Sequence, residues 1–108
     1  MNKIKWEQKE TRDNKEDFRV SGVITDSNKN SISYSLAARP KRNTNLYIGQ
    51  VSFRFGFAMR TVAQKEFGNV TDAQDFVESE FGRISSMLDG LVKSQMQDVL
   101  LDILKQAD

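Results

Sequence analysis

The sequence has no cysteine, no histidine and a single proline. Without cysteine there is no disulfide, no thiolate nucleophile and no cysteine-ligated metal. Without histidine the chain lacks the commonest general base, the commonest transition-metal ligand and the side chain that titrates near neutrality. No apolar run approaches the ~18 residues that span a bilayer. The opening MNKIKWEQKE is charged throughout and has no apolar centre, so a signal peptide is not expected and the expected location is the cytoplasm. Neither glycine-rich phosphate-loop pattern is present, nor is a nucleophile elbow. These absences argue against an enzyme, and neither a cofactor nor a metal is expected.

What is present is short and polar. A chain of 108 residues with 38% apolar and 29% charged content makes one domain, 1–108, with a modest core. Self-association would help such a chain bury enough surface. The net charge of +1 hides a strong segregation. Residues 20–65 carry seven Lys/Arg against Asp26, whereas residues 66–108 carry three against nine acids. A nearly neutral molecule with charge divided in this way has two electrostatic faces.

The pattern divides the chain into a polar arm or short strand (1–16), a basic sheet region (17–67) and an acidic helical region (71–106). In the arm, Ile4 and Trp6 are the apolar anchors; a first strand around Lys3–Glu7 would dock Trp6 by packing or leave it to stack on a ligand. Alternation over Phe18–Thr25 and again over Ile32–Leu36 predicts an antiparallel hairpin joined by the turn formers Asp26 to Asn30. One face of it is apolar; the other carries Arg19, Ser21, Thr25, Ser31, Ser33 and Ser35. Arg39-Pro40-Lys41-Arg42 opens the next connection. A long strand follows from Leu46 to Arg60, with Tyr47, Val51, Phe53, Phe55 and Phe57 on one face and Gln50, Ser52, Arg54 and Arg60 on the other. Gly49 and Gly56 mark a bend or bulge in it. Residues 59–67 fit a short helix or a continuing strand.

Thr71 with Gln74 reads as a capping box. Beyond it, apolar residues recur at helical steps from Phe76 to Leu104. One unbroken helix from Thr71 to Gln106 would measure about 54 Å, too long for so small a domain, so a break is expected near Gly82 or Gly90. The expected fold class is therefore α+β: an antiparallel β-sheet in the N-terminal two-thirds, packed on a long, broken amphipathic C-terminal helix. Its second half is apolar on more than one stripe, which suggests a homodimer using Leu91, Met96, Val99, Leu100, Ile103 and Leu104.

Arg19, Lys29, Arg39, Lys41, Arg42, Arg54 and Arg60 are the candidate phosphate ligands, among Ser, Thr and Gln side chains suited to holding a nucleic-acid backbone without reading its sequence. Tyr47 or Tyr34 would offer a ring; the phenylalanine row serves better as core than as a stacking platform. Asp72, Asp75, Glu78 and Glu80 read as a solvated helix surface rather than a metal or acid–base site. The expectation is a small non-enzymatic protein that binds single-stranded DNA or RNA independently of sequence, through a basic sheet face and the 39–42 loop. The alternative is a protein-interaction module, accessory or inhibitory, that docks through its charged faces.

Overall fold

The computed structural model describes residues 4–9, 15–25 and 28–106. Along the chain lie β1 (Glu7–Lys9), β2 (Asp17–Thr25), β3 (Ser31–Pro40), β4 (Tyr47–Phe55), β5 (Ala58–Phe67), α1 (Val70–Leu88) and α2 (Lys93–Gln106). The strands pair in sequence order, each antiparallel to the next, in one sheet. The architecture is α+β, but its second helix is a short one of 14 residues.

The alternation in the sequence fixes the register. Val20, Leu36 and Val51 lie in one cross-strand row, and Ile24 faces Ile32, so one side of the sheet is apolar from β2 to β4. Both helices pack on that side. Leu36, Val51, Phe53, Val77, Ile84, Leu88, Met96 and Leu100 are fully buried there. Burying one such side chain contributes roughly 1.5–3 kcal/mol, which makes this cluster the main source of stability. Gly49 permits the close approach of α1 to β4: a Cβ there would stand 2.9 Å from the Ala73 carbonyl oxygen. It is a packing position rather than the expected bend.

Gly56 is the turn of a hairpin. Phe55 pairs with Ala58 across Gly56 and Phe57, and Gly56 has φ +59, which glycine adopts without strain. The expected long strand to Arg60 therefore ends at Phe55, and residues 58–67 form an antiparallel strand rather than a helix. The bulge lies in β5: Val51 faces Ala63 while Ser52 faces Thr61, which leaves Val62 extra. Val62 joins the core.

The helical region starts and breaks for local reasons. Asn69 caps α1, its side chain accepting from the Asp72 N–H at 2.9 Å, so the helix begins before the expected capping box at Thr71. Gly82 stays helical. The break falls at Asp89-Gly90, where Gly90 takes φ +77, and the Gln95 side chain accepts from the Val92 N–H at 3.2 Å near the new start. The chain then doubles back, and the radius of gyration is 14.3 Å.

The N-terminal strand is shorter and later than expected, Glu7–Lys9 against Asp17–Arg19. Trp6 packs on the helix side and donates its indole N–H to Glu78 of α1 at 3.0 Å, which favours the pinning role over a ligand-stacking one. The remainder of the expected arm, residues 1–3 and 10–14, and Asp26-Ser27 of the β2–β3 turn lie outside the described residues.

Candidate nucleic-acid interface

The side of the sheet away from the helices is built by the strands' other parity. Among the described residues no helix covers it. Ladder pairs set its rows: Arg19, Ala37, Gln50 and Gln64 in one, Ser21, Ser35, Ser52 and Thr61 in the next. Arg39, Ile48 and Glu66 make a third toward the 41–46 loop, and Arg54 faces Met59 near the β4–β5 turn.

Hydrogen bonds tie the middle of this surface together. Arg39 donates through Nε to the Gln50 side-chain oxygen Oε1 at 3.2 Å, and the Gln50 amide Nε2 donates to the Thr61 hydroxyl at 2.8 Å. Thr61 and Ser52 share a further bond at 3.2 Å. Such contacts fix the amide and hydroxyls in place, so a ligand meets positioned groups rather than mobile ones. The 41–46 loop is closed by the Lys41 N–H donating to the Leu46 carbonyl at 2.8 Å, with Asn43 at φ +63. Lys15 donates to the Thr44 carbonyl at 2.9 Å, bringing a further cation to that end.

The cations are not one continuous field. Arg19 grips Asp17 through Nε at 2.9 Å and Nη2 at 3.3 Å. Lys41 pairs with Glu66, and Lys9 with Glu7 at 3.9 Å. Arg39, Arg42 and Arg54 meet no carboxylate among the described residues. Arg39 and Arg42 sit at one end and Arg54 near the other, about six residues or roughly 20 Å away along the strands. Lys29 lies in the β2–β3 turn with φ +66, exposed and at Arg54's end of the sheet.

The placement of several single residues differs from expectation. Arg60 is not on this surface: it faces Phe53 across the β4–β5 ladder and so lies on the helix side. In a two-residue hairpin, residues i and i+3 face each other, so the odd–even phase inverts across Gly56-Phe57. The bulge at Val62 inverts it again, which sends Glu66 to the basic surface and Lys65 to the helix side. Glu66 had been grouped with the acidic helices by sequence position alone.

Tyr34 and Tyr47 also stand on the helix side. Tyr34 packs its ring 4.6 Å from that of Phe81 and lies over Gly22, where a Cβ would meet its hydroxyl at 2.5 Å. Tyr47 packs beside Ala38, Val70 and Ala73. Neither offers a ring to a ligand on the open side. Phe57, which sequence position placed in the apolar row, is instead at the turn tip and fully exposed, 103%.

The residues expected at a dimer contact serve the chain's own core. Met96 and Leu100 are buried, and Leu91, Val99, Ile103 and Leu104 pack partly against the same cluster. The α2 side chains left outside are others, notably Leu101 at 44% exposure.

Three of the four acids expected to form a solvated surface have partners: Asp72 bonds Asn69, Glu78 accepts from Trp6, and Glu80 pairs with Arg83 at 2.7 Å. Among the described residues no group of acids could hold a metal, and no helix is long and apolar enough to cross a membrane. The chain matches no protein-family model, no curated protein and no solved structure.

Proposed function

We propose that the chain is a small non-enzymatic protein of the cytoplasm that binds single-stranded nucleic acid, largely independently of sequence, on the open side of its sheet. The supporting observation is the pairing pattern there. Arg39, Arg42 and Arg54 keep no carboxylate partner among the described residues, while Gln50, Ser52 and Thr61 between them are held in a polar network. Arginines around a field of fixed hydroxyls and amides suit phosphate oxygens. The surface is a sheet with no projecting helix, and the helices on the other side are acidic. Nothing on it enters a major groove, which favours single strands over duplex.

Fluorescence anisotropy with labelled single-stranded and duplex oligonucleotides at two salt concentrations is the test. The expected result is binding that prefers single strands and weakens steeply with salt. Binding that ignores salt, or none at low salt, overturns the proposal.

One observation favours the alternative, a module that binds another protein. β1 pairs only with residues 17–19 of β2, so the outer edge of β2 from Val20 to Thr25 has no partner strand among the described residues. An exposed edge of this kind can accept a strand from another chain. Capture of one protein at fixed stoichiometry, unaffected by nuclease, would favour that reading.

A further inference from the structure

Phe57 is the most exposed large apolar side chain among the described residues, and the fold gives no reason for it. It occupies the second central position of the β4–β5 turn, after Gly56 has supplied the positive φ. Small polar residues satisfy that position at no cost, so the turn itself does not call for an aromatic ring. The neighbouring charge supplies the missing chemistry. Arg54 is exposed on the open side, three residues away, and its Nη1 donates to the Phe57 carbonyl oxygen at 3.5 Å. Of Arg39, Arg42 and Arg54, which meet no carboxylate among the described residues, it is the one beside a bare ring. Met59, the cross-strand neighbour of Arg54 on the same side, is exposed as well.

We propose that the β4–β5 turn is a base-stacking tip: Phe57 packs against one nucleobase of a bound single strand while Arg54 holds the adjoining phosphate. A flat ring and a guanidinium side by side complement a nucleotide, which presents a π-face and a negative charge a short distance apart. A purely apolar partner would leave Arg54 unpaired, and a purely anionic one would leave Phe57 in water. The strand's backbone then runs along β4 from Arg39 toward Arg54, and the base at the end leaves the sheet for the tip. This inference rests on the single-strand reading above and assigns it a residue that contacts bases.

The test compares wild type with Phe57→Ala, Phe57→Trp and Arg54→Gln, using an oligothymidine strand and an abasic strand of equal length at low salt. Phe57 touches no core residue, so all variants should keep the wild-type urea midpoint. Phe57→Ala is expected to lose about five- to a hundred-fold in affinity for oligothymidine and nothing for the abasic strand. Phe57→Trp should restore the affinity, with quenching of an indole signal beyond that of Trp6. Arg54→Gln should weaken both strands. If wild type binds oligothymidine and Phe57→Ala binds it equally well, the tip is not a stacking site and the sheet-face function survives. If wild type binds neither strand, the sheet-face function fails and this proposal with it. Phe57-dependent binding to phospholipid vesicles in place of oligonucleotide would assign the tip to a membrane surface and overturn it too.

Discussion

Gly49 shows how much one hydrogen atom can decide. The α1 backbone passes so near β4 that an added methyl would meet the Ala73 carbonyl at 2.9 Å and the Phe76 ring at the same distance. A backbone carbonyl in a packed helix cannot step aside, so Gly49→Ala should destabilise by about 1–3 kcal/mol, as overpacked cores do. Urea denaturation measures it; an unchanged midpoint would show that α1 sits farther out. Such a position is invisible in the sequence, where Gly49 reads as a bend. Phe57 is the reverse case. Counting along an alternating strand puts it inside, yet the turn puts it outside.

At the scale of elements, start signals are local and faces are not. The Asn69 side chain accepts from the Asp72 N–H and donates to the Asp72 carboxylate, a reciprocal arrangement within three residues. Asn69→Ala should cost about 1 kcal/mol, and Thr71→Ala much less, in the same denaturation experiment. The β4–β5 hairpin carries the opposite lesson. Its turn and its bulge each shift the strand by half a pleat. Deleting Val62 would join Thr61 directly to Ala63 opposite Ser52 and Val51, keeping the faces of residues 63–67 and removing only the buried Val62 side chain. That variant is expected to unfold cooperatively at a lower urea midpoint, followed by circular dichroism; loss of the transition would show that the bulge is needed to hold the register.

For the whole molecule, both helices pack on the sheet of their own chain. Leu100 is fully buried within its own chain, so Leu100→Ala should destabilise by about 2–5 kcal/mol. The unfolding midpoint of wild type should not change with protein concentration. A midpoint that rises with concentration would mean that association contributes to stability, and a dimer contact would have to be sought at Leu101 or the β2 edge. The charge arrangement makes a prediction at the same scale. Replacing Arg39 and Arg42 together by Ala should weaken binding to all single strands alike and reduce the salt slope by about one per cation. A loss confined to particular sequences would mean that these arginines read bases.

Composition, alternation and helical periodicity determined the fold class, because burial of one face per element is a local property repeated along the chain. Ile24, Leu36 and Val51 point inward in the structure as their spacing requires, and the helical stripe through Ile84, Leu88, Met96 and Leu100 does the same. The charge totals located the basic half. What only tertiary structure decided is which charges meet. Arg60 left the open surface, Glu66 joined it, and two of the candidate cations, Arg19 and Lys41, found carboxylates. A two-residue turn and a one-residue bulge decided the places of Arg60 and Glu66, because each inverts the face of every residue that follows it.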